Sequence, residues 1–267
     1  MLTIKTEEEI EIIKHSSLLV GETLAEVARY LKPGVSTATL DKVAETYIRD
    51  HGAVPGFKGY RGFPATLCVS VNDEVVHGIP GKREIREGDI VSVDCGVLKN
   101  GFYGDSAYTF GIAPVKENYI KLMHITRESL LRGISRAVAG NRTGDIGSEI
   151  QQFTESHGFS VVRVLVGHGL GRKLHEEPEV PNFGQRGEGV LLRERMVICI
   201  EPMINFGKKG VTQDRDGWTI RTKDRLPSAH FEHVVVIRKQ QAEVLSSFDE
   251  IEKAINAINN DHIWLNN

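Results

Sequence analysis

The sequence predicts an α+β fold in which two related halves share a sheet, and two observations carry that prediction. A long helix, a breaker and a shorter capped helix occur twice at an offset of 106 residues without a gap: Gly34 matches Gly140, Thr37 matches Thr143, His51 matches His157 and Gly52 matches Gly158. Leu40 with Ile146 and Tyr47 with Phe153 keep the apolar positions in the same register. The segments between and after these helix pairs are short and rich in Val and Ile, as strands are. Repetition of cap, breaker and helix face together points to duplication. One domain over residues 1–267 is therefore expected, with halves at about 7–110 and 113–240 and a tail at 241–267.

The elements follow in order. Ile10, Ile13, Leu18, Val20, Leu24, Val27 and Leu31 recur at mixed three-to-four spacing, which predicts a helix from Glu7 to Leu31. Lys32-Pro33-Gly34 stops it, because proline lacks an amide donor and glycine tolerates a reversed backbone. Ser36 or Thr37 offers the N-cap of a second helix that runs to about Asp50 and closes at His51-Gly52. In the second copy the helices are expected at Glu117–Val138 and from a Thr143 cap to Ser156. Strands are expected at Thr66–Val71, Ile90–Val97, Phe102–Phe110, Ser160–Val166, Met196–Ile200 and His233–Arg238. Ile251, Ala254, Ile255 and Ile258 share one face of a packing helix from Phe248 to about Asn259.

Composition excludes several classes. The chain has 33 Lys plus Arg against 36 Asp plus Glu, a net charge of −3, which argues against a coat for nucleic acid or an anionic membrane. No run approaches the roughly 18 apolar residues that span a bilayer, and the N-terminus is too charged for a signal peptide. Cys68, Cys95 and Cys199 are odd in number and widely spaced in apolar runs, so buried free thiols in a reducing cytoplasm fit better than a disulfide framework.

The chemistry concentrates in IVSVDCGVLKNGFYGDSAYTF. Asn100-Gly101 is a strong hairpin signal, because both central residues of the favoured turn need positive φ. A two-residue loop there pairs Lys99 with Phe102, so Asp94 faces Ala107 and Asp105 faces Gly96. The two aspartates are then same-face diagonal neighbours about 7–8 Å apart. Two carboxylates on an apolar hairpin repel and resist burial, so something positive is expected between them. A pair of divalent cations about 3.5–4 Å apart would fit; an aspartate capping a strand end in solvent is the alternative. The second half adds His168 in VLVGHGLG, Glu201 ending the apolar run MVICIEPM, and Glu232 at the mouth of FEHVVVI. Each alone is as well explained as a satisfied polar residue. Together, four carboxylates neutralise two divalent cations, and hard oxygen donors with one imidazole suit Mn²⁺, Fe²⁺, Co²⁺ or Zn²⁺ rather than a thiolate site. Cys95 must point away from Asp94, and both it and Cys199 read as core.

The Asp94/Asp105 hairpin, GHGLG, IEPM and SAHFEH resemble the five-ligand signature of the methionine aminopeptidases, and the chain is similar to the bacterial type I enzymes over about residues 5–240. GYRGFPATLCVSVNDEVVHGIPG, GRKLHEEPEVPNFG and RDGWTIRTKDRLPSAHFEH extend the likeness. The resemblance implies the pita-bread fold, whose two related halves match the duplication. It implies that Asp94, Asp105, His168, Glu201 and Glu232 bind two metal ions, with Asp105 and Glu232 bridging. It further implies that His77 and His175 contact substrate, and that Tyr60, Phe63, Cys68, Leu174 and Trp218 surround a methionine pocket. Two positions depart from the family pattern: Phe57 stands where many bacterial members carry cysteine, and Leu174 where they carry phenylalanine, which puts the pocket's shape in question. A monovalent-cation site is also implied, with Asn72 and Ser228 as weak candidates.

The activity so implied is removal of the N-terminal methionine from nascent chains when the second residue is small, with His77, His175 and Glu201 as the catalytic side chains. A prolidase or aminopeptidase P shares the five ligands, and a non-catalytic pita-bread binding protein is the rival from another class. The former usually carries a large N-terminal domain, whereas this chain enters its repeat by residue 7; the latter would be expected to lose ligands. A cytoplasmic monomer without specific DNA binding or membrane insertion is expected. Family behaviour implies docking near the ribosomal exit tunnel through Lys208, Lys209, Arg221, Lys223 and Arg225, although a solvated face accounts for the same charges.

Overall fold

The computed structural model describes residues 2–257 and the backbone of 263–264. Helix α1 (Glu7–Tyr30) begins at Thr6, whose hydroxyl accepts from the Glu9 amide while the Glu9 carboxylate accepts from the Thr6 amide. This reciprocal cap satisfies two amides that a helix start leaves orphaned, and Glu7–Glu9 favour the positive end of the helix dipole. Ser36 caps α2 (Thr37–Asp50), which settles the choice between Ser36 and Thr37. The second pair is α3 (Glu117–Ser135) and α4 (Thr143–Ser156). Helix α3 stops earlier than its apolar pattern, because Val138 instead bridges to Arg238. Thr143 is not the cap of α4. The N-cap is Arg142, whose amide donates to the Asp145 carboxylate, while the Thr143 hydroxyl accepts from the Val190 amide.

The two helix pairs close alike. His51 and His157 are the C-caps of α2 and α4, and each ring donates from Nδ1 to the carbonyl four residues back, on Tyr47 at 2.7 Å and on Phe153 at 2.8 Å. Each ring also rests against the aromatic ring of that same residue. Helix α5 (Asp249–Ala257) buries Ile251, Ala254 and Ile255; Ile258 and Asn259, expected in the same helix, lie outside the described residues.

The described strands pair antiparallel. The first half centres on a hairpin, Ile90–Lys99 with Phe102–Ile112, whose ladder runs unbroken from Ile90–Gly111 to Lys99–Phe102. Asn100 at φ 52° and Gly101 at φ 80° form the left-handed turn the sequence requires. Leu67–Val71 pairs with the hairpin's first strand and puts Cys68 opposite Asp94. The second half has a five-stranded sheet in the order Glu243–Val244, His233–Val236, Val197–Ile200, Gly167–Gly169, Glu176–Val180. The expected strand Ser160–Val166 is only Ser160–Val161; residues 162–166 leave it, and 164–166 line a cavity. A large core of Val, Ile, Leu and Phe side chains fills the space between helices and sheets.

Instead of one shared sheet the described strands form four, two five-stranded and two three-stranded, and a seam of hydrogen bonds joins the hairpin to the chain around Glu232. The Glu232 amide donates to the Ala107 carbonyl at 3.0 Å, the Ser106 hydroxyl to the Glu232 carbonyl at 2.8 Å, and the Thr109 hydroxyl to the His230 carbonyl at 2.6 Å. This seam carries Glu232 beside Asp105.

Candidate active site

Each functional side chain sits at a position its local sequence dictates. In the ladder Asp94 lies opposite Ala107 and Asp105 opposite Gly96, so both carboxylates occupy one face as diagonal neighbours. Val197–Ile200 and His233–Val236 pair with Ile200 opposite His233, which leaves Glu201 and Glu232 flanking the mouth of that strand pair. His168 lies between Gly167 and Gly169; a Cβ at these positions would fall 2.3 Å from the carbonyl oxygens of Cys199 and Glu177, so only glycine lets the neighbouring strands close on the histidine.

One cavity of about 280 Å³ gathers all of these groups. Asp94, Asp105, His168, Glu201 and Glu232 line it together with His77 and His175, and Tyr60, Phe63, Cys68, Leu174 and Trp218 form its walls. The structure thus brings the anticipated metal-binding, histidine and pocket-wall residues to one cavity, while Asn72 and Ser228 do not line it. His168 Nε2 lies 3.5 Å from Glu201 Oε1 and 3.9 Å from Asp105 Oδ2. Its Nδ1 is 3.0 Å from the Gly169 carbonyl, which only accepts, so Nδ1 bears the proton and Nε2 turns its lone pair toward the carboxylates.

Burial and mutual repulsion disfavour the charged form of each clustered carboxylate. Burial pushes the Asp94 carboxyl up to about 7. Burial first, then Glu232 and Asp94, drives Asp105 well above the usual carboxylate range. Burial with Asp94 and Asp105 does the same to Glu201, and burial with Glu201 and Asp94 to Glu232. Asp94 Oδ1, Asp105 Oδ1 and Glu232 Oε1 are buried without a hydrogen-bond partner. Buried polar atoms are rarely left so. Converging carboxylates with orphaned oxygens beside an imidazole lone pair are the donor set of a hard-to-borderline divalent cation, and the residues fit one.

Cys199 is core, as expected, yet its sulfur also reaches the cluster: its potential ligand atom and those of Asp105, His168 and Glu232 all lie within 4.8 Å of one another. Burial raises its thiol pKa and the thiol hydrogen-bonds Glu232, so it acts as a neutral donor rather than a thiolate ligand. Cys95 belongs to the main core, on the face away from Asp94.

The flanking histidines are neutral. Burial lowers His175 to about 3, aided by His168, and burial lowers His77 as well. His175 Nδ1 is 2.8 Å from the Tyr60 hydroxyl. Phe63 and Trp218 meet edge to face at 5.1 Å between ring centroids. Phe57, one of the two departures, joins the same apolar cluster as Phe63, Cys68 and Leu174.

Sequence reasoning missed Arg61, Met203, Val164–Val166 and His230. Met203 stands in the IEPM motif, and His230 two residues before Glu232, an alternation that could have flagged it. His230 is fully buried, and its Nε2 lies 3.7 Å from Glu201 Oε2 without a hydrogen-bond partner. The structure brings Asn72 and Ser228 together, with the Ser228 amide donating to the Asn72 carbonyl. Their side chains are already engaged, by Asp89 and the Ile90 amide and by Ile204 and Asn205 respectively. Of the basic residues, Arg221 is held by Asp73, Glu74 and Asp214, and Arg225 by Asp73.

The model of metallopeptidase family M24 matches residues 11–239. The chain belongs to that family. Among M24 relatives it is 50% identical to a methionine aminopeptidase of Clostridium perfringens, over 92% of this chain and 99% of that protein. The crystal structure of a methionine aminopeptidase from Thermotoga maritima superposes with a TM-score of 0.91 at 43% identity, covering 92% and 100% of the two chains. A prolidase from Pyrococcus furiosus shares the fold alone, at 22% identity and a TM-score of 0.76, and this chain covers 65% of it. The M24 chain thus has the pita-bread fold and is a metal-dependent hydrolase, with methionine aminopeptidases rather than proline peptidases as its near relatives. Among the described residues no helix is long and apolar enough to cross a membrane.

Proposed function

We propose that this chain removes the N-terminal methionine from nascent proteins and peptides whose second residue is small, acting as a cytoplasmic monomer built from two related halves. The observation that carries the reading is the single cavity in which a buried carboxylate cluster, two neutral histidines and an apolar wall adjoin. Asp94, Asp105, His168, Glu201 and Glu232 would hold two divalent ions, of Mn, Fe(II), Co or Zn type. When bound, such ions supply Lewis acidity and make water a competent nucleophile near neutral pH.

The chain's own residues do the rest. Glu201 takes the proton of the attacking water and returns it to the leaving amine. His175 Nδ1 lies 2.8 Å from the Tyr60 hydroxyl, and a proton held on Nε2, with the hydroxyl donating to Nδ1, would let His175 donate to the developing oxyanion. His77 positions the scissile amide. The free α-amino group is recognised at the carboxylate end, which restricts the reaction to N-termini. Tyr60, Phe63, Cys68, Leu174 and Trp218 accept the methionine side chain, whose thioether gains from aromatic neighbours. Lys208, Lys209 and Lys223 are what the ion pairs of Arg221 and Arg225 leave for docking at the ribosome.

The test is methionine release from Met-Ala-Ser, from its N-acetylated form and from an Xaa-Pro peptide in the presence of Mn²⁺ or Co²⁺. Turnover of the first alone is expected; preference for the Xaa-Pro peptide would overturn the reading.

A further inference from the structure

We propose that His230 is a positioning residue for Glu201, holding one oxygen of that carboxylate so that the other is presented to the ion beside His168. Glu201 lies between two imidazoles: Oε1 is 3.5 Å from His168 Nε2 and Oε2 is 3.7 Å from His230 Nε2. The two contacts differ in kind. His168 Nε2 carries a lone pair, because its Nδ1 proton is committed to the Gly169 carbonyl. His230 Nε2 is buried with no partner at all, and Glu201 is the acceptor the structure sets in front of it. Leaving such a nitrogen unpaired is costly, and a movement of less than about 1 Å brings 3.7 Å within hydrogen-bond range.

The backbone of His230 is placed to do this. Its carbonyl accepts from the Thr109 hydroxyl and its amide donates to the same oxygen, while the residue pairs with Met203 in the ladder. Thr109 lies on the hairpin that carries Asp105. The ring facing Glu201 is therefore set by the strand that presents an aspartate to the same cluster. Carboxylates that bind metal are themselves usually hydrogen-bonded, and loss of that support weakens metal binding.

The inference rests on the reading of Glu201 as a metal-binding residue. Metal-free wild type, His230→Gln, which keeps an N–H donor, and His230→Leu, which does not, are titrated with Mn²⁺ by calorimetry. The melting temperature of each metal-free form is measured alongside. Leu is expected to weaken Mn²⁺ binding by about 10–100-fold and to lower kcat more than it raises KM, with Gln restoring most of both. Metal-free melting temperatures of the two variants should agree, since a purely structural role would separate stability and leave affinity alone. Unchanged affinity in His230→Leu, or a loss in His230→Gln as large as in His230→Leu, overturns the proposal. Should His230→Leu melt below the assay temperature, His230→Met supplies the donor-free side chain. A wild type that takes up no Mn²⁺ overturns the reading of the site instead.

Discussion

The two strand pairs that bring carboxylates to the cavity solve the same problem differently. In the first half a two-residue turn closes the Asp94/Asp105 hairpin, and the ladder continues past both aspartates. In the second half Val197–Ile200 and His233–Val236 also pair antiparallel, but the chain leaves at Glu201 and returns at Glu232 only after passing through Met203, Trp218 and His230. The short turn yields two rigid carboxylates and little else. The long connection supplies Met203 and Trp218 to the pocket wall and His230 to face Glu201. A local turn thus sets one pair of carboxylates, and a long connection between the other pair also contributes to the cavity wall.

The broadest way to break this comparison treats both pairs at once. Dialysis against a chelator should abolish methionine release, and Mn²⁺ or Co²⁺ should restore it; undiminished turnover in metal-free protein would remove the need for either carboxylate pair. Within the hairpin, Asp105→Asn should weaken metal binding more than Asp94→Asn, by more than the roughly 10–100-fold that loss of an outer-shell group costs, because Asp105 lies nearest the second half. Calorimetry ranks the two, and the reverse order would place the shared ligand elsewhere. On the second-half side, His175→Ala should lower kcat by about 10²–10³-fold, the scale of one lost oxyanion donor, with metal content by elemental analysis unchanged. Loss of metal would make His175 a ligand.

Both pairs also predict an unusual pH response in the metal-free protein. Asp94 rises from 3.8 to about 7 on folding, and Asp105, Glu201 and Glu232 rise too. A carboxyl with a raised pKa is protonated in the folded chain where the unfolded chain has already released its proton. The carboxyls' contribution to stability therefore falls as pH climbs from about 4 through 7. His168, lowered by burial to about 4, and His175, His230 and His233, lowered to about 3, work in the opposite sense, because the unfolded chain takes up their protons below about 6.5. Urea melts at pH 5 and 7.5 isolate the carboxyl part by difference: between these pH values metal-free wild type should lose more stability, or gain less, than metal-free Asp94→Asn, and equal changes in the two would show that Asp94 keeps an ordinary carboxyl pKa. The smallest effect belongs to the pocket wall. Leu174→Phe adds a ring beside the methionine site, and sulfur–aromatic contacts are worth about 0.3–1.5 kcal/mol, so the Met-to-Leu ratio of kcat/KM should rise no more than about tenfold. An unchanged ratio would show that Leu174 is too deeply buried to be felt.

The difference between the pairs also explains what the sequence could tell. The register of Asp94 and Asp105 is legible because Asn100-Gly101 sets it locally, and the face of each residue follows from strand alternation. His51 and Gly52 at a helix end are legible for the same reason. Thr143 misleads because Asp145 reaches the helix start first, and Ser160–Val166 misleads because β-branched residues fit a cavity wall as well as a strand. The proximity of His230 to Glu201 depends on how a long connection folds back, which no short-range rule encodes. Trp218 and Leu174 are found through family likeness alone.

The seam between the sheets has a further consequence. The five side chains proposed to bind metal come from residues as far apart as Asp94 and Glu232, and they meet where the Glu232 amide bonds the Ala107 carbonyl. An ion held there ties distant stretches of chain in the folded state only, so its binding free energy adds to folding, much as a disulfide staples a secreted domain. Unlike a disulfide, this staple is reversible and answers to the free metal concentration. Resistance to proteolysis in the connection between the halves, at residues 113–116, should track metal supply, so that a chain deprived of its ion becomes not merely inactive but easier to cut in two.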